Sequence, residues 1–118
     1  MQSLRPVRRV AELGSLGRFT RMSDFPPAEY EAAVRKFTRL AADDFRQSAA
    51  TEQQQRAAIC RYFRRGAQAD FSHPELIDFL GVSTPSVLDM AGYSEAAAQR
   101  VMEMLADITD EEIQSVSV

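Results

Sequence analysis

The sequence predicts an all-α fold, a compact bundle of about five to seven helices, two of them short. Three observations predict it. Apolar residues recur at i, i+3 and i+4 through most of the chain, the period of a helix that buries one face. Proline, serine or threonine opens these stretches and glycine closes several of them, which is the punctuation of helix ends. No stretch alternates apolar and polar residues over the length of a strand.

The first 25 residues read as an irregular basic arm, with Arg5, Arg8, Arg9, Arg18 and Arg21 against Glu12 alone up to Met22. A single helical domain is expected over 26–118. Its first helix opens at Pro26-Pro27, because the first helical turn has unpartnered amide donors anyway and loses nothing to proline. It is expected to reach residue 50, with Tyr30, Val34, Phe37, Leu40, Ala41 and Phe45 on one apolar stripe. Thr51 to Gln54 has the Thr-x-x-Gln form of a capping box and opens a second helix. Ala58, Ile59, Tyr62 and Phe63 form its buried side. Gly66 is expected to end it, since glycine tolerates the positive φ of a C-terminal cap. Ser72-His73-Pro74-Glu75 is a second capping box, for a helix that stops at Gly81. Ser83-Thr84-Pro85 is expected to start a helix over 84–91 that stops at Gly92. Ser94-Glu95 starts a longer one, with Ala97, Val101, Leu105 and Ile108 on one face. Thr109 caps a last short helix through Ile113 and Val116.

Composition narrows the function classes. With 45% apolar residues among 118, the chain can build one core without a metal or a disulfide staple. Cys60 is the sole cysteine, so no intrachain disulfide forms, which fits a reducing cytoplasm. The longest wholly apolar run, 57–60, is far below the ~20 residues of a membrane span. Arginines interrupt the first twenty residues where a secretory leader needs an apolar stretch. A cytoplasmic protein without a membrane role is therefore expected. The net charge of −3 conceals an asymmetry. Residues 1–65 carry 13 basic and 7 acidic side chains, whereas 66–118 carry 1 and 10. Halves so divided are expected either to pack on each other, within one chain or across a dimer, or to present one face to a charged partner.

Little catalytic chemistry is on offer. His73 and Cys60, each the only one of its kind, fall in different predicted helices and make no local nucleophile pair. Two soft ligands are too few for zinc. Asp107, Asp110, Glu111 and Glu112 lack the spacing of a calcium loop, and no glycine-rich phosphate loop occurs. No metal, no cofactor and no enzyme activity are expected. The strongest candidate surface is the basic side of the 52–66 helix, Arg56, Arg61, Arg64 and Arg65, with Tyr62 and Phe63 turned to the core.

Residues 73–90 resemble a helix-turn-helix. Leu76, Leu80, Gly81, Val82 and Val87 stand where such motifs place packing residues and the turn glycine. The resemblance implies a recognition helix over 84–91, yet that stretch holds Asp89 as its only charge. It lacks the Arg, Lys, Asn and Gln that read base edges and the cations that contact phosphates. Residues 87–116 resemble a ubiquitin-associated three-helix domain through Leu88-Asp89-Met90-Ala91-Gly92-Tyr93, which stands where that family has its Met-Gly-Phe loop. The function expected from all this is binding to another protein, in the manner of small bacterial inhibitors, immunity proteins or regulators. Homo-oligomerisation is a secondary expectation, and the alternative function is a helix-turn-helix regulator that binds nucleic acid.

Overall fold

A computed structural model describes residues 25–118; the basic arm read over 1–25 therefore lies, apart from Phe25, outside the described residues. Six α-helices and no strand occur among the described residues, so the fold they form is all-α. They are α1 (Pro27–Gln47), α2 (Glu52–Gln68), α3 (His73–Ile77), α4 (Val87–Met90), α5 (Glu95–Met104) and α6 (Asp110–Ser115). A π-helical turn, Asp78–Val82, continues α3, and a 3₁₀ turn, Leu105–Asp107, continues α5.

Local chemistry sets most helix starts. Pro26 and Pro27 open α1. The Thr51 hydroxyl accepts from the Gln54 amide at 3.1 Å, and the Ser72, Ser86, Ser94 and Thr109 hydroxyls do the same for α3 to α6. Each satisfies an amide that the first turn would leave unpaired. Glu75 closes the capping box by accepting from the Ser72 amide at 2.7 Å, and its other carboxylate oxygen accepts from the Tyr30 hydroxyl. The start of α3 is thereby tied to the start of α1. Burial pushes the Tyr30 phenol up to about 12, and the bond to Glu75 adds to the shift.

Three helix ends differ from the sequence reading, the first being α1, which stops at Gln47 and not at residue 50. Gly66 does not end α2; it lies buried inside it, where a β-carbon would collide with the side chain of Leu76. The left-handed residue that ends α2 is Asp70, at φ 66°. Its amide donates to the Ala67 carbonyl, and the Phe71 amide donates to the Gly66 carbonyl, both at 3.0 Å. This is the double hydrogen bond of a helix C-terminal motif with aspartate in glycine's usual place. Gly92, at φ 87°, performs the same service for α4, as expected. The helix read over 84–91 is confined to Val87–Met90, because Ser86 and Asp89 form the reciprocal cap that starts it.

The core is one cluster. Phe45, Ile59, Leu80, Val87, Leu88 and Val101 are all fully enclosed. Helices α1 and α2, joined by residues 48–51, form a hairpin that supplies most of its aromatic content. Phe37 and Phe45 pack on Tyr62, with ring centroids 5.3 and 6.0 Å away. The Tyr62 hydroxyl donates to the Leu76 carbonyl at 2.6 Å, and burial holds that phenol far above its usual range. Helix α4 packs on α1, α5 and α6 pack on α2, and α3 bridges α2 and α4 through the π turn. The three-helix unit expected from the ubiquitin-associated resemblance does not form separately, because α4 packs mainly on α1 and the π turn, and α6 mainly on α2.

Candidate functional site

The four arginines of the basic face are engaged within the chain. Arg56 makes a two-pronged ion pair with Glu112 and also donates to the Asp107 carbonyl at 3.0 Å. Arg64 donates to the Gln114 carbonyl at 2.7 Å. These two clamp the acidic C-terminal helix α6 onto α2, so the charge asymmetry between the two halves is used in part inside one molecule. Arg61 turns the other way, to α1. It grips both oxygens of Asp44 at 2.8 and 2.9 Å and donates to the Ser48 hydroxyl at 3.1 Å. Arg65 lies 3.6 Å from Asp44 and keeps nearly half of its side chain in solvent.

The Arg56–Glu112 clamp is pH-dependent in a stated direction. Hydrogen bonding from Arg56, reinforced by its charge and by the Thr109 backbone, holds the Glu112 carboxyl below its ordinary 4.5. A depressed carboxyl favours the folded state while it is ionised, so the clamp is intact above pH 4.5 and is lost as pH falls below that value. Helix α6 buries no residue completely; beside this pair it is held by the Arg64–Gln114 bond and by the partly buried Ile113. In an NMR pH titration the amides of 110–115 should therefore shift together below pH 4.5, ahead of the core amides of Ile59 and Leu80. Concerted movement of both sets would show that α6 is not held by this pair.

Beside Arg65 the hairpin leaves a cleft of about 440 Å³, lined by Phe37, Leu40, Ala41, Asp44, Phe45, Tyr62 and Arg65. Leu40 belongs to the predicted apolar stripe, but it is 56% exposed instead of buried. It sits at the margin of the stripe, where α2 no longer covers α1, and its side chain forms the cleft wall. One side of the cleft is aromatic and apolar; the other is Asp44 with Arg65, and Arg61 behind Asp44 brings the formal charge of the group to +1. On the outer side of α1, Arg35, Lys36 and Arg39 are exposed, and none meets a carboxylate among the described residues.

The helix-turn-helix-like positions divide. Leu76, Leu80 and Val87 are buried in the core. Val82, expected to pack, is 65% exposed, because the π turn rotates it outward past Leu80. A β-carbon on Gly81 would meet the Met102 sulfur at 2.5 Å, so this glycine marks where α5 comes close. In α4 both Val87 and Leu88 point into the core, which leaves Asp89 as its exposed side chain. His73 stacks on Phe63 with ring centroids 5.0 Å apart. Cys60 is buried, and burial pushes its thiol up, away from the reactive thiolate.

No group of three His, Cys, Asp or Glu that could hold a metal occurs among the described residues, and no helix there is long and apolar enough to cross a membrane. Comparison with protein-family models, curated proteins and solved structures finds no match. The functional reading therefore rests on the geometry alone.

The cleft was the feature least visible in the sequence. Its signal was Leu40 itself, a leucine at the edge of an apolar stripe with Lys36 one turn earlier and Asp44 one turn later.

Proposed function

We propose that this is a non-enzymatic protein-binding module and that the α1–α2 cleft is its docking site. The observation that carries this reading is Leu40, a large apolar side chain held 56% exposed on the rim of an apolar, aromatic-walled cleft. Water gains nothing from such a surface, and contiguous apolar area with a polar rim is how proteins present a partner site. Interfaces of this kind are anchored by a few buried apolar or aromatic contacts surrounded by polar ones. Here Phe37 and Leu40 form the open apolar wall, over the enclosed Phe45 and Tyr62, and Asp44 with Arg65 forms the polar rim.

Immobilised protein incubated with nuclease-treated cell lysate tests this. A specific protein partner is expected to be retained by the wild type and lost by Leu40→Glu. The substitution changes an exposed side chain, so circular dichroism should remain that of the wild type. Equal retention by both proteins, or retention that nuclease abolishes, overturns the reading.

A further inference from the structure

From the charges around the cleft we infer the chemistry of the partner: an acidic, amphipathic segment that seats an apolar side chain in the cleft and sets its carboxylates on Arg65 and Lys36. The inference rests on the docking reading above and deepens it. Asp44 already gives both oxygens to Arg61. Arg65, at 3.6 Å, is thus a supernumerary cation on a carboxylate that is already satisfied, and much of its side chain is in solvent. A second carboxylate arriving at the cleft mouth meets a guanidinium that is placed by the fold and not yet neutralised. Lys36 stands one turn before Leu40 on α1, with Arg39 and Arg35 beyond it, and these exposed cations meet no carboxylate among the described residues. An approaching acidic partner is therefore drawn by several like charges on one side of α1, which raises its association rate and fixes its register.

The apolar lining selects among polyanions. A nucleic-acid backbone matches the cations but brings no apolar side chain for the space between Leu40, Phe37 and Tyr62, whereas an amphipathic helix brings apolar anchors and carboxylates on adjacent positions. A second copy of this chain is a weaker occupant. Its acidic surface lies on α5 and α6, which pack on α2 as α1 does. Joining the α1 side of one copy to the α6 side of the next is a contact between unlike patches, which continues into open chains unless the rotation closes a ring.

Fluorescein-labelled fourteen-residue helical peptides with leucines at i and i+4 serve as probes, in three forms: Glu, Gln or Lys at the positions flanking the leucines. Anisotropy gives affinity, and ¹⁵N-labelled protein gives location through the amides of 36–45 and 62–65. The Glu peptide is expected to bind at least ten-fold more tightly than the Gln peptide and to shift those amides, with the Lys peptide weakest. The double variant Lys36→Glu, Arg65→Glu should reverse that order. If all three peptides shift the cleft amides with equal affinity, the acidic preference is wrong while the docking site stands. Absence of cleft shifts with every peptide overturns both. A fourteen-nucleotide single strand that binds the same amides more tightly than the Glu peptide shows the partner to be nucleic acid, and concentration-dependent mass in sedimentation shows it to be a second copy; either result overturns the inference.

Discussion

Replacing Phe45 by alanine is expected to destabilise the protein by about 3–5 kcal/mol, the range for emptying a fully enclosed aromatic site. Phe45 is 0% exposed. Its ring is edge-on to Tyr62 at 6.0 Å and to Tyr93 at 6.3 Å. Its carbonyl, near the end of α1, accepts the Tyr93 hydroxyl at 2.8 Å, so the cavity would open where α1, α2 and the turn after α4 converge. A domain of this size has only about 5–15 kcal/mol of net stability, and the urea midpoint should fall steeply. Leu40→Ala, five residues earlier on the same predicted stripe, should stay within about 0.5 kcal/mol because its side chain is already in water. Urea unfolding of the two variants, followed by circular dichroism, measures the contrast. Equal losses would mean that Leu40 is buried in solution and that the cleft is closed.

That contrast shows what the sequence could and could not reveal. Period 3.6 identified the face of α1 but not where its cover ends, because Leu40 and Phe45 obey the same spacing and only the path of α2 separates them. Helix starts were legible wherever the capping group is local, as at Thr51, Ser72, Ser94 and Thr109. The start of α4 was misplaced by three residues, because Ser83 and Ser86 both offer a capping hydroxyl and only Ser86 has Asp89 to reciprocate. The arginines of α2 were legible as one basic face. Their division between Asp44 on α1 and Glu112 on α6 was not, since those pairs lie 17 and 56 residues apart in the chain. The exposure of Val82 follows from the π turn, which places one extra residue in a helical turn and has no signature in the pattern of apolar residues.

Gly66 supplies the second large effect. At an exposed helical position, exchanging glycine for a residue with a side chain removes a backbone-entropy cost of up to about 1 kcal/mol. Gly66 reverses that rule because it is the point where α3 rests on α2: a β-carbon there overlaps Leu76, which is itself only 2% exposed. Leu76 cannot step aside cheaply, since its carbonyl is held by the Tyr62 hydroxyl and its side chain is enclosed. Overfilling a packed site costs about 1–3 kcal/mol, and Gly66→Val should reach the upper part of that range because it adds two methyl groups beyond the clashing carbon. The physical cause is testable by a cycle. Leu76→Ala alone should cost about 2–5 kcal/mol through the cavity it leaves. In the double variant the valine occupies part of that cavity, so the combined loss should fall short of the sum by about 1–3 kcal/mol. Additive losses in denaturant unfolding would show that Gly66 is required for its backbone and not for the close approach of α3. In that case Gly66→Ala should be just as damaging as Gly66→Val, whereas the packing argument makes alanine, with one added carbon and a gain in helix propensity, the milder of the two.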